Sequence, residues 1–158
     1  QLTINGQVVK TVDIAAGASA KDIAAAVNAV SNETGVQATA RTTATLSGLT
    51  QAGVISFDLN GEAVSASVAS ASDLTNLADA INAQASKTGV IAKLSVEKDS
   101  IELTAEDGRD IEIADFGNSA TTSAATATRM NVTGASGVAT RLTDTGTAGG
   151  DTDSTVVG

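Results

Sequence analysis

Hydrophobic positions in the middle of the chain fall into two successive periods. Ile55, Phe57 and Leu59 alternate with Ser56 and Asp58, the period of two of a half-buried strand. Asn60-Gly61 follows, a pair that tolerates positive φ and so predicts a tight hairpin. Val64, Ala66 and Val68 then alternate with Ser65 and Ser67 as the return strand. The period changes at Leu74, Leu77, Ala78 and Ile81, spaced i, i+3, i+4 and i+7 like the stripe of an amphipathic helix. Ser72 or Asp73 supplies its N-cap, and Gly89 stands where the helix end needs a left-handed residue. A third strand is predicted where Ala92, Leu94 and Val96 alternate with Lys93 and Ser95. Ile101 with Leu103, and Ile111 with Ile113, extend the sheet.

The same order occurs earlier in the chain. Ala25-Ala26-Val27-Asn28 answers Asp79-Ala80-Ile81-Asn82, Thr34-Gly35-Val36 answers Thr88-Gly89-Val90, and Asn5-Gly6 answers Asn60-Gly61. The copies lie about 54 residues apart, with a slip of one between turn and helix. In the first copy Leu2 and Ile4 precede the turn, and Val12 and Ile14 follow it. Ile23, Ala26, Val27 and Val30 form the helical stripe, and Ser19 with Asp22 marks its start. The stretch Arg41 to Ser47, mostly Thr and Ala, offers no convincing equivalent of the later strands. Beyond Phe116 the chain turns to Thr, Ala, Gly and Ser, with β-like pieces at Met130-Asn131-Val132 and Val138 to Leu142. Thr143 to Ser154 is expected to be loop or a frayed end.

These elements predict an α+β fold of two repeated small units, each a hairpin and further strands packed on one amphipathic helix. The expected units are residues 1–50 and 51–116, with a β/loop-rich segment at 117–158. The pattern leaves open whether the two units share one sheet or stand in series.

Composition narrows the chemistry. Among 158 residues there are two Phe, one Met and no Trp, Tyr, His or Cys. A core of small aliphatics is thin and suits sheet pairing better than a deep aromatic pocket. Without His or Cys, neither Ser-His-Asp nor Cys-His catalysis is available, nor any Cys/His metal site. No enzyme activity and no cofactor are expected. The formal charge of −9 repels phosphate backbones and anionic lipid, so neither nucleic acid nor membrane is an expected partner. No apolar run approaches the roughly 18 residues that span a bilayer. The chain begins at Gln1 without an initiator Met, and is read as a piece of a longer protein.

The acidic run Glu97, Asp99, Glu102, Glu106, Asp107, Asp110, Glu112 and Asp115 invites a calcium or acid–base reading. Glu102 and Glu112, however, alternate with apolar residues, and Glu106-Asp107-Gly108 reads as a turn, so a solvated face is expected. Asp144, Asp151 and Asp153 are weak calcium candidates in a Gly/Thr loop, without the spacing of an EF-hand. Asn32-Glu33-Thr34 and Asn131-Val132-Thr133 match the N-glycosylation pattern, which an Ala/Thr-rich chain produces cheaply. Asn28, Gly35, Asn60, Gly61, Ile81, Asn82 and Gly89 are expected to be architectural: glycines for backbone conformation, asparagines for bonds to nearby backbone.

Asn-Gly, a hydroxyl-rich strand, a helix ending in Ala80-Ile81-Asn82, then Thr88-Gly89-Val90-Ile91-Ala92 resembles the "IN" motif of flagellins and hook-associated proteins. The first copy carries the pair as Val27-Asn28. Leu103 to Ile111 resembles the flagellin segment that closes such a unit. The resemblance covers roughly residues 1–116. It implies a surface-exposed, extracellular structural domain of the bacterial flagellum, a secreted filament used in motility. It also implies that the termini that polymerise with other flagellin subunits lie outside this chain, and that these residues alone are monomeric. The hook-associated filament cap protein is the alternative within the same family. A surface adhesin or glycan-binding module is the alternative of another class, disfavoured by the scarcity of aromatics on which sugars stack.

Overall fold

The computed structural model of the chain describes residues 1–146 and 154–158. The fold is α+β, with several antiparallel sheets and few helices. In chain order, β1 (Leu2–Asn5) and β2 (Val9–Val12) precede α1 (Ala20–Ala29) and the single turn α2 (Ser31–Thr34). Next come β3 (Thr42–Ser47), β4 (Gly53–Leu59) and β5 (Glu62–Val68), then α3 (Thr75–Ala83) and the single turn α4 (Ala85–Thr88). β6 (Ile91–Leu94), β7 (Ser100–Ala105) and β8 (Ile111–Asn118) follow, and a 3-10 turn at Ala124–Thr126 leads to β9 (Thr128–Gly134). β10 (Ala139–Asp144) and β11 (Thr155–Val157) complete the described strands.

The repeated elements form where the two periods place them. β4 and β5 are a two-residue hairpin, Leu59 opposite Glu62, with Asn60 at φ 49° and Gly61 at φ 80°. Such a turn matches the twist of the flanking strands. Ile55, Phe57, Leu59, Val64 and Val68 are buried, while Ser65 and Ser67 face outward. Leu74, Leu77, Ala78 and Ile81 are all buried on one side of α3. The helix start differs from expectation. Leu74 occupies the N-cap without a side-chain bond, and the Asp73 carboxylate instead accepts the Thr75 N–H (3.1 Å) and hydroxyl (2.6 Å). Ser19 does cap α1, accepting the Asp22 N–H at 3.2 Å.

The extensions of the sheet part company. β6 and β7 lie in a five-stranded sheet of order β10-β9-β3-β7-β6, whereas β8 pairs with β4 in a four-stranded sheet of order β11-β8-β4-β5. Val96 is not in β6; it stands in the β6–β7 turn, 95% exposed. Arg41 to Ser47, expected to lack a strand, contains β3, the middle strand of the five. Thr42, Ala44 and Leu46 are buried on one face, and the β-branched threonines suit a pleated surface flanked on both sides. β3 therefore joins residues of the first repeat to β7 of the second, and on its other side to β9. Thr143 and Asp144, expected to open a loop running to Ser154, instead end β10, where they pair with Arg129 and Thr128; residues 147–153 lie outside the described residues, and the chain returns as β11 along β8.

Both large sheets and α3 contribute side chains to one hydrophobic cluster, including Leu46, Phe57, Leu77, Ile101, Ile113 and Met130. The first repeat is thinner. Its hairpin β1–β2 is a separate two-stranded sheet, and on α1 only Val27 is buried. Position for position, Leu77 is fully buried where Ile23 is 36% exposed, and Val64 is 2% exposed where Val9 is 62% exposed. Asn5-Gly6 does not form the tight turn made by Asn60-Gly61. Asn5 pairs with Val9 across a three-residue loop, and Ile14 lies beyond β2. Gly6 is required there for a different reason: a Cβ at this position would collide with the Thr34 carbonyl oxygen.

Candidate functional site

The repeated polar residues converge on the end of each helix. α1 and α3 each run into a single further turn, which stops at a glycine with φ 71°: Gly35 in one copy, Gly89 in the other. The Gly35 N–H donates to the Ser31 carbonyl at 2.7 Å and the Gly89 N–H to the Ala85 carbonyl at 2.9 Å. Thr34 and Thr88 are buried immediately before them. Each hydroxyl donates back to a carbonyl four residues earlier, Val30 at 3.0 Å or Gln84 at 3.2 Å. Each also accepts the N–H of the residue two later, Val36 or Val90, at 3.2 Å. These threonines are conspicuous in the sequence only as landmarks of the repeat. Their signal is the Thr-Gly-Val triplet, in which a hydroxyl can satisfy backbone left open where a helix ends.

The asparagines complete the device. Asn28 Nδ2 donates to the Ala38 carbonyl at 2.8 Å, and its Oδ1 accepts the Ala38 N–H at 2.9 Å. Asn82 does the same to Ala92, at 2.9 and 2.8 Å. Each side-chain amide thus plays the part of a strand neighbour, pinning the outgoing chain to the helix. Ile81, beside Asn82, is fully buried, and Val27 holds the equivalent place.

The hairpins dock on the same spot. In the first copy the Gln7 N–H donates to the Thr34 carbonyl at 2.8 Å. In the second the Asn60 side chain does so, Nδ2 to the Thr88 carbonyl at 3.0 Å. Asn60 also reaches β8: Nδ2 donates to the Asp110 carbonyl at 3.2 Å, and Oδ1 accepts the Glu112 N–H at 2.7 Å. Gly61 has open space around its Cβ position, so its requirement is the backbone angle alone.

A junction between the repeats is built from the Asp107-Gly108-Arg109 turn. The Gly108 carbonyl accepts the Lys21 N–H at 2.8 Å, at the start of α1. Lys21 Nζ lies 2.8 Å from Asp107 Oδ2, and Arg109 Nη2 lies 2.7 Å from the same oxygen. Arg109 Nη1 donates to the Thr88 carbonyl at 3.3 Å. The Arg109 hydrogen bond, then that of Lys21, holds the Asp107 carboxyl well below the usual carboxylate range. These charges are solvent-exposed, so they set geometry more than stability.

Of the remaining acidic residues, Glu97, Asp99, Glu102, Glu106, Glu112 and Asp115 are exposed and Asp110 is half-buried. Asp144 is buried. Its Oδ2 accepts the Asn118 N–H at 2.6 Å and its Oδ1 the Gly146 N–H at 2.8 Å. Asp151 and Asp153 lie outside the described residues. Among the described residues no group of three or more acidic side chains is placed to hold a metal ion. Asn118 emerges as a buried polar hub unmarked in the sequence. Its Nδ2 reaches the Gln51 and Ala52 carbonyls (both 3.3 Å) and the Thr128 hydroxyl (3.0 Å), and its Oδ1 accepts the Ala120 N–H at 3.0 Å. No helix among the described residues is long and apolar enough to cross a membrane.

No curated protein matches the chain. The family model of the flagellin hook IN motif matches it twice, over residues 1–51 and 45–107, and the matches together span well over half its length. Both asparagine clamps and both Thr-Gly turns lie inside the matched segments. The family is structural and builds the external flagellar filament, which gives the chain a flagellin-related structural role. With its helix-ending device built twice on one plan, this chain belongs to the flagellin hook IN motif family.

Proposed function

We propose that the chain is a surface-exposed, variable outer domain of flagellin, displayed along the exterior of the filament used for swimming. The observation that carries this reading is the asparagine clamp made at both Asn28 and Asn82, in a chain whose exposed strand positions include Ser56, Ser65, Ser67, Glu102, Glu112 and Asp115. The residues singled out in the repeats act as architecture, committing their polar atoms to backbone. Residues 1–50 and 51–116 are the two IN-type units, and 117–158 completes the domain around them. Other subunits are contacted through segments outside these residues, and the domain by itself is a monomer that performs no catalysis. Its exposed acidic surface sets the charge and antigenicity of the filament exterior. The test is immunogold electron microscopy of intact cells with antibody raised against this domain. Label along the whole filament is expected. Label at the tip alone assigns the domain to the hook-associated filament cap protein instead, and label on the cell body alone assigns it to a surface adhesin.

A further inference from the structure

The chain holds two Asn-Gly dipeptides, and the fold treats them in opposite ways. At an Asn-Gly step the glycine amide nitrogen, on losing its proton, can attack the asparagine Cγ. The adduct expels ammonia and closes a five-membered succinimide. Water then opens the ring at one of its two carbonyls, leaving aspartate or, with the chain running through the side-chain carbon, isoaspartate. Glycine favours this because no Cβ obstructs the approach, but the asparagine side chain must be free to swing towards the next nitrogen.

Asn60 is not free. Its Nδ2 is held by the Thr88 and Asp110 carbonyls and its Oδ1 by the Glu112 N–H, so all three bonds must open before Cγ is reachable. Asn5, at the homologous position, is exposed, and its side chain has no hydrogen-bond partner among the described residues. It stands at the end of β1, a strand of the thin hairpin that among the described residues pairs only with β2.

We infer that Asn5 is a site of spontaneous deamidation in the folded protein, while Asn60 is protected by the hydrogen bonds that dock its hairpin. The product adds a negative charge beside the loop whose Gln7 N–H grips Thr34, and isoaspartate also lengthens the backbone there. The reaction is a modification that ages the first repeat and spares the second.

The experiment is incubation of the whole folded chain in mildly alkaline buffer, followed by digestion and peptide mass spectrometry, with isoaspartate read by an isoaspartate-specific methyltransferase. A parallel sample is kept in denaturing urea. In the folded sample Asn5 is expected to convert at least about tenfold faster than Asn60, the effect of three extra hydrogen bonds to be broken. In urea the two rates are expected to converge. Asn5→Gln, whose longer side chain closes the ring far less readily, is expected to abolish the signal at this loop. Equal conversion of Asn5 and Asn60 in the folded sample overturns the inference. So does an Asn5 that stays amidated when folded yet converts in urea.

Discussion

Asn82 holds both backbone polar groups of Ala92, Nδ2 donating to the carbonyl at 2.9 Å and Oδ1 accepting the N–H at 2.8 Å. Ala92 is buried and the clamp part-buried, so its two groups reach water less readily than those of the exposed clamp at Asn28. Asn82→Ala is therefore expected to destabilise the domain by about 1–3 kcal/mol. Asn28→Ala, whose clamp is exposed, is expected to cost less than about 1 kcal/mol. Urea denaturation of the two variants checks the ranking, and equal losses would contradict it.

The two repeats bury their matching apolar positions unequally. Leu77→Ala removes a fully buried side chain and is expected to cost about 2–5 kcal/mol. Ile23→Ala, at the homologous position, leaves much less of a cavity and is expected to cost below about 1 kcal/mol. Thermal unfolding followed by circular dichroism separates these cases.

Gly61→Ala meets no neighbouring atom but places a side chain at φ 80°. The expected loss is about 1–2 kcal/mol, from backbone conformation alone. Gly6→Ala fails for the other reason, its Cβ driving into the Thr34 carbonyl. Urea denaturation distinguishes them: Gly6→Ala, which must displace backbone at Thr34, is expected to cost more than Gly61→Ala.

Acid is expected to loosen the junction between the repeats. The folded-state pKa of Asp107 is lowered by Arg109 and then Lys21, so its contribution is fully present above its unfolded value of about 4 and fades as pH falls below that towards the folded value. Asp73 behaves alike, its pKa lowered first by the Thr75 hydroxyl. Asp107→Asn is thus expected to lower the urea midpoint at neutral pH, with the gap to the parent narrowing in acid. Added salt is also expected to narrow it, since the charges are exposed. A gap that widens in acid would refute this assignment.

The second repeat was legible because its signals are redundant: a strict alternation at Ile55–Leu59, a helical stripe at Leu74–Ile81, and glycines at 61 and 89, where the hairpin and the helix end need positive φ. β3 was hidden because Leu46 is its only large apolar residue. It is a strand by virtue of β7 and β9 on its flanks, which no local window contains. Asn5-Gly6 and Asn60-Gly61 are identical as dipeptides, yet one lies in a three-residue loop and the other is a two-residue turn, a difference no local window contains. The asparagine clamps were foreshadowed as bonds to nearby backbone, but their partner ten residues on is a matter of tertiary placement. Asn118 gave no local sign at all, since its partners come from the residues just before β4, from the start of β9 and from Ala120.

The position of β3 has a consequence for the order in which the molecule is made. Residues 42–47 leave the ribosome before both of their ladder partners, which follow at 100–105 and 128–134. Until those arrive, β3 waits with both edges bare, a circumstance that ordinarily invites association with other chains. Thr42, Thr43, Thr45 and Ser47 make the waiting segment well hydrated and only weakly sticky. The scarcity of large apolar residues that conceals this strand in the sequence thus also suits it to its long unpaired interval during synthesis.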